Sequence, residues 1–180
     1  MENIGIAKLQ GFQLGFSPDT YDAFKEVVRT GTVAVAAKEE HSQMLFFGRA
    51  NAPMNVLMVA PLFGNDEGKD LLASMGQKLV DEFGATWVAL VCEAWVVVVG
   101  KDDPRWRENA TRDNCDIRPS EQPDRVEQLM LSFHTTDFAE LESYQILRDV
   151  KGNRSGLGEK NVVSSHRTDS RFNFFPRVVH

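Results

Sequence analysis

The sequence predicts an α+β domain: a mainly antiparallel sheet around a long central strand at residues 87–99, with two helices packed on it. Three observations predict this class. Predicted strands outnumber predicted helices, and the last strands follow one another without helices between them, which disfavours a doubly wound parallel sheet. The 180 residues are 42% hydrophobic, enough for one buried core. We place the domain at 1–150 and expect a basic, aromatic-ended C-terminal tail at 151–180.

The first predicted helix covers residues 18–29. Ser17 is a capping residue, Pro18 suits the first helical position, and Asp19 favours the positive end of the helix. Gly31 supplies a stop. Residues 32–37 fit either a strand or a second short helix. The apolar residues at helical spacing are Tyr21, Phe24, Val27 and Val28.

The second helix and the strands on either side of it are the clearest elements. Residues 44–48 and 55–60 are apolar and β-prone, and we interpret them as two strands. A helix at 67–83 begins after Asn65 and ends at Gly84. In the strand at 87–99 both alternating faces are mostly apolar, which indicates cover on both sides of the sheet.

The chain from residue 100 onward differs in composition. Residues 100–124 are rich in charge and proline and form a connection well beyond the usual loop length. Residues 125–133 and 141–150 alternate as strands and predict an antiparallel hairpin. A short edge strand is expected at 162–164. The aromatic segment 172–176 is expected to pack on the body of the protein or on a partner.

The charge is unevenly distributed. The chain carries a net charge of -6, but residues 1–150 hold 14 Lys+Arg against 24 Asp+Glu, whereas residues 151–180 hold six against two. An acidic body repels phosphate backbones, so nucleic acid is an unfavourable partner for it. The basic tail remains open to an acidic partner, to nucleic acid or to the chain's own body.

Compartment and cofactors follow from what the sequence lacks. Two cysteines make no disulfide framework, the first residues show no signal-peptide pattern, and the longest apolar run is too short to span a bilayer. We therefore expect a cytoplasmic protein. Zinc-protease, paired-cysteine, P-loop and serine-elbow motifs do not occur, and we expect no cofactor.

Glu93 is the candidate catalytic residue. It lies in the middle of the central strand, on the face that carries Trp95. A carboxylate in apolar surroundings can act as a general acid or base, or it can pair with an arginine. Arg125, Arg148 and Arg118 are the candidate partners, and we favour the structural ion pair.

The segment 118–127 is the second candidate feature. If Arg125 faces Glu93 across the sheet, the segment is clamped over the central strand and several polar residues surround one cleft. That cleft lacks a histidine, so it fits a salt-bridge latch better than a catalytic site. The candidate binding residues are Trp95, Trp106, Arg118, Ser120, Glu121, Arg125 and Glu127.

Glu93-Ala-Trp95 together with Pro119-Ser-Glu-x-Pro-Asp-Arg-x-Glu127 resembles a pattern in small uncharacterised proteins of bacteria and their phages. The resemblance covers about residues 54–158 and includes a Leu-Gly-Glu beginning at Leu157. Cys92 stands where that pattern has a serine. The resemblance implies a phage or mobile-element setting, and it carries no biochemical function or catalytic residue with it.

Two weaker features complete the candidates. Trp106, between two arginines, either anchors an interface or packs its ring over the core. His134, Asp137 and Glu140 share a hairpin loop and form a weak candidate metal site, although no ligand-spacing motif supports it.

Three functions remain open. The first is a non-enzymatic binding protein that acts through its acidic body on a protein partner. The second is a hydrolase or nucleotide-acting enzyme that uses Glu93 and the 118–127 segment, with or without a divalent metal. The third is a homo-oligomeric structural component.

Overall fold

The computed structural model describes residues 9–98, 100, 102–105, 121–165 and 174–175. The predicted sites Trp106, Arg118 and Ser120 therefore lie outside the described residues. The elements are β1 (Gly11–Gln13), α1 (Tyr21–Ala36), β2 (Met44–Gly48), β3 (Asn55–Met58), α2 (Ala60–Phe63), α3 (Asp66–Phe83), β4 (Trp87–Val96), β5 (Val126–His134), β6 (Ala139–Arg148) and β7 (Arg154–Ser165).

The strands form one seven-stranded sheet in the order β1-β3-β2-β4-β5-β6-β7. Every neighbouring pair is antiparallel, and β4 is the middle strand. The predicted α+β class and the central strand are confirmed. Among the described residues, no helix combines the length and the apolar character needed to cross a bilayer.

Helices cover the sheet on both faces, as the two apolar faces of β4 predict. Ala89 and Val91 point to the side of α1, where they share a core with Phe24 and Val28. The intervening residues of β4 point to the other side and share a second core with α3. The buried residues that α3 gives to this core include Leu72, Leu79 and Val80.

Helix α1 starts later and runs further than the sequence predicts. Thr20 caps it, because its side chain accepts a hydrogen bond from the Ala23 backbone N–H at 3.2 Å. The helix continues through Gly31 to Ala36, which settles residues 32–36 as helix. The stripe Val28, Thr32 and Ala36, at a spacing of four residues, is buried against the sheet. This burial outweighs the helix-breaking tendency of one glycine.

The expected tail begins as a sheet strand. Strand β7 starts just after the β6–β7 turn at residues 149–153 and pairs along nearly all of β6, and it extends well beyond the short edge strand expected at 162–164. Phe174 and Phe175 are buried in the core on the α3 side. Strand β7 therefore belongs to the sheet, and Phe174 and Phe175 pack on the body, one of the two placements expected for the aromatic segment.

The sheet curls around the C-terminal end of α1. Strands β4 and β7 are three strand spacings apart, about 14 Å in a flat sheet. Nevertheless the side chains of Glu93 on β4 and Arg154 on β7 are in hydrogen-bond contact at 2.7 Å. Two register shifts in the β6–β7 ladder contribute to this bend, because bulges bend a strand and increase its twist.

Candidate functional site

Glu93 forms a buried ion pair with Arg154. Arg154 Nη1 lies 2.7 Å from Glu93 Oε1, and Nη2 lies 2.8 Å from Oε2, so the contact is bidentate. The two side chains are only 6% and 8% exposed. Glu93 Oε1 also accepts a hydrogen bond from the His41 backbone N–H at 2.7 Å. Both carboxylate oxygens are therefore engaged.

Arg154 also closes the end of α1. Its Nη1 donates to the carbonyl oxygens of Ala36 at 2.9 Å and Glu39 at 2.6 Å. Carbonyls at a helix C-terminus lack partners within the helix, and a cation there also interacts favourably with the helix dipole. Its hydrogen bonds to Glu93 raise the pKa of Arg154, so it stays charged. One guanidinium thus joins β7, β4 and α1.

In the described residues, Glu93 pairs with Arg154 and not with Arg125 or Arg148, and the third candidate, Arg118, lies outside the described residues. Arg125 lies over the ring of Trp95, with Cζ 4.8 Å from the ring centroid. Arg148 pairs with Glu127 at 2.7 and 2.9 Å. The register explains this arrangement, because Leu129 and not Arg125 stands opposite Glu93. Glu93 is held in an ion pair, as the sequence favours, but Arg154 of β7 supplies the cation and Arg125 does not clamp the 118–127 segment onto Glu93.

The two ends of the connection at residues 100–124 are held together by an ion pair of Arg105 and not by the expected pair of Arg125 with Glu93. Arg105 binds the carboxylate of Asp124 with contacts of 2.9 and 2.7 Å, and it binds Asp103 as well. Residues 103–105 therefore lie beside residue 124, close to the start of β5. Glu121, a predicted binding residue, is exposed at the same end of the connection.

Three predicted binding residues come together beside the Glu93–Arg154 ion pair. Trp95 stands directly opposite Glu127 on the neighbouring strand. The ring of Trp95 is 43% exposed and carries the guanidinium of Arg125 on its face. We call Trp95, Arg125, Glu127 and Arg148 the Trp95 surface. Arg148 is a member that sequence analysis proposed only as a partner for Glu93.

The predicted metal ligands do not converge. Cross-strand pairs share a face of the sheet, and Glu140 pairs with Phe133, which belongs to the α1-side core. His134 is the next residue on β5, so its side chain points to the opposite side of the sheet. Glu140 instead pairs with Lys25 of α1. Within the described part of the chain, no three His, Cys, Asp or Glu residues are arranged to hold a metal.

A second buried carboxylate serves to attach α1 to the sheet. Glu142 on β6 is 1% exposed and accepts a hydrogen bond from Arg29 Nε at 2.8 Å. With the Lys25–Glu140 pair one turn away, α1 holds two acids of β6. Pairing explains how these charges can be buried, and neither acid is left free for chemistry.

His134 is buried beside the C-terminal aromatic pair. Its Nε2 lies 2.8 Å from Ser132 Oγ, and its ring makes an edge contact with Phe174 at 5.1 Å between centroids. Burial lowers the pKa of His134 to about 4. The side chain is therefore neutral in the folded protein near neutral pH.

This lowered pKa predicts a loss of stability in mild acid. The unfolded chain binds the proton near pH 6.5 and the folded chain only near pH 4, so protonation favours unfolding. We expect the free energy of unfolding to fall by about 3 kcal/mol between these pH values on account of His134. Urea titrations at several pH values measure it. Between pH 4 and 6.5, the free energy of unfolding of His134→Gln should depend less on pH than that of wild type. An unchanged pH dependence would contradict the attribution of this effect to His134.

The chain was compared with protein-family models, with curated proteins and with solved structures, and no significant match was found.

Proposed function

We propose that this protein is a cytoplasmic, non-enzymatic binding protein that engages a protein partner through the Trp95 surface. The observation that carries the proposal is the exposed, arginine-stacked ring of Trp95. Tryptophan and arginine are enriched among the residues that dominate binding energy at protein interfaces. The sequence resemblance implies a phage or mobile-element setting. In that setting we expect the partner to be a host protein or the product of a neighbouring gene.

The ring of Trp95 is held in place before any partner arrives. Arg125 stacks on it, and Arg125 Nη1 donates to the Gln122 carbonyl at 3.3 Å. Glu127 lies opposite and is fixed by Arg148. Next to these residues, the Glu93–Arg154 pair ties the end of the sheet to α1. A side chain that is ordered in advance loses less conformational entropy on binding.

The charge of the chain favours a partner with a basic surface. The whole chain carries 20 Lys+Arg against 26 Asp+Glu, a net charge of -6, although the Trp95 surface itself holds two arginines and one glutamate. Complementary charge accelerates encounter, whereas the desolvated aromatic contact supplies most of the affinity. We therefore expect association to slow as salt rises.

The same geometry speaks against the hydrolase alternative. A general base must present a free carboxylate oxygen to the reacting group. Glu93 Oε1 accepts from His41 N–H and from Arg154, and Oε2 accepts from Arg154. An enzyme centred on Glu93 would first have to break this ion pair.

Replacement of Trp95 should weaken binding strongly without unfolding the protein. We expect Trp95→Ala to weaken binding by about 2 kcal/mol or more, roughly thirtyfold, because an exposed anchor contributes to the complex and little to the core. The measurement is quantitative mass spectrometry of proteins captured from lysate by wild type and by Trp95→Ala. The expected result is a defined set of proteins lost in the variant.

Val98→Ala is the matched control for this capture, because Val98 is 76% exposed two residues after β4. It should retain the same proteins as wild type. If Trp95→Ala and Val98→Ala capture the same set as wild type, the Trp95 surface is not the binding site.

A further inference from the structure

Strand β7 is an edge strand of the sheet formed by the described residues. It is twelve residues long and pairs with β6 on one side. It is the last strand in the sheet order, and no strand of the described chain lies on its other side. Alternate residues of an edge strand direct their backbone N–H and C=O groups outward, where they form a template for another strand.

The two halves of β7 differ in their protection against such pairing. The first half contains both register shifts, and the charged Glu159 and Lys160 stand in the middle of the strand. Bulges and charges are the usual means by which edge strands avoid pairing. From Asn161 to Ser165 the strand is uncharged and regularly paired with β6. Val162 and Val163 are 48% and 64% exposed there.

We propose that this second half of β7 pairs with the same segment of a second copy of the chain, which gives a two-fold dimer with a continuous sheet. This surface is separate from the Trp95 surface and does not depend on the function proposed for it. An exposed, β-branched, uncharged edge is the type that adds a strand from another chain.

Charge disfavours two registers of the pair, and the exposed valines favour an axis at Val162. In a two-fold antiparallel pair, the residue on the axis stands opposite itself in the other copy. An axis at Glu159 or Lys160 would oppose like charges, which is destabilising. An axis at Val162 places the two valines together, sets Val163 against Asn161, and sets Lys160 against Ser164. No like charges then stand opposite each other.

This self-complementary register favours a second copy over a foreign strand. With the axis at Val162, residues 160–164 supply both partners, and every opposed pair among them is neutral or contains a single charge. If the edge binds a strand of a different protein, the chain purified alone stays monomeric, and its mass in solution distinguishes the two cases.

Light scattering coupled to gel filtration tests the dimer on the full chain over a range of concentrations. Wild type should reach twice the chain mass of 20.2 kDa. Val162→Lys places like charges at the axis and should raise the dissociation constant about tenfold or more. The matched control is Val150→Lys, since Val150 is fully exposed in the β6–β7 turn, and this variant should dimerise like wild type.

Concentration-dependent amide hydrogen exchange of wild type makes the test independent of any variant. Those alternate amides of residues 160–164 that point away from β6 should gain protection as the protein is concentrated, and the amides of the opposite edge strand β1 should not. A wild type that stays at the chain mass at high concentration, with no such protection, would overturn the proposal. Equal masses for Val162→Lys and Val150→Lys, both folded by circular dichroism, would also overturn it.

Discussion

Arg154→Leu should lower the free energy of unfolding by about 3–5 kcal/mol, which is the range for removing one partner of a buried ion pair. The variant leaves Glu93 with its buried charge and without a cation. It also removes the donor to the carbonyls of Ala36 and Glu39 at the end of α1. Urea unfolding measures this as a lower midpoint with an unchanged slope.

Arg148→Leu is the matched control. Arg148 stands directly opposite Arg154 in the β6–β7 ladder and makes a similar bidentate contact, with Glu127. Its side chain is 43% exposed, however, and an exposed ion pair contributes about 1 kcal/mol or less. If the two variants lose the same stability, the Glu93–Arg154 pair does not hold the sheet to α1.

Phe174→Ala should be the other strongly destabilising change, by about 3–5 kcal/mol, the range for truncating a buried phenylalanine. Phe174 is 1% exposed, belongs to the core on the α3 side and contacts the ring of His134. Removal of the ring would leave a cavity in this core, and such cavities are the main cause of losses of this size. Thermal or urea unfolding measures the loss.

Phe12→Ala provides the comparison, because Phe12 is 47% exposed on the edge strand β1. It should change stability by about 1 kcal/mol or less. Equal losses for the two phenylalanines would show that Phe174 does not pack on the body of its own chain. The hypothesis that the aromatic C-terminal segment docks on a neighbouring copy would then regain support.

Two pairs of residues at this end of the sheet have different roles. Glu93 and Arg154 lie inside and neutralise each other, which fits a structural role. Trp95 and Arg125 lie outside, where they are accessible to a partner. The proposed binding function depends on this division between an inner ion pair and an outer aromatic surface.

The sequence predicted those helices and strands well whose limits depend on apolar spacing and on capping residues. The apolar stripe of α3 and the left-handed Gly84 at its end fix that helix, and the helix is observed within one residue of the prediction. The alternation along β4 assigned Ala89 and Val91 to one face and Val88 and Leu90 to the other. Period and capping are encoded in neighbouring residues, so they can be inferred from the sequence.

The partner of Glu93 could not be predicted in this way. Arg154 is distant in sequence, and it reaches Glu93 only because the sheet curls across two intervening strands. The curl arises from bulges in β7, whose positions depend on the β6–β7 register. The available signal was the turn at residues 151–153, which places Arg154 at the start of a strand beside β6.

A double-mutant cycle on Glu93 and Arg154 tests the central claim most directly. It compares the free energies of unfolding of wild type, Glu93→Gln, Arg154→Leu and the double variant. If the carboxylate serves the ion pair, removing both partners destabilises less than the sum of the single changes, with a coupling of about 2–3 kcal/mol. Changes that add within about 0.5 kcal/mol would contradict the account and return Glu93 to the candidates for catalysis.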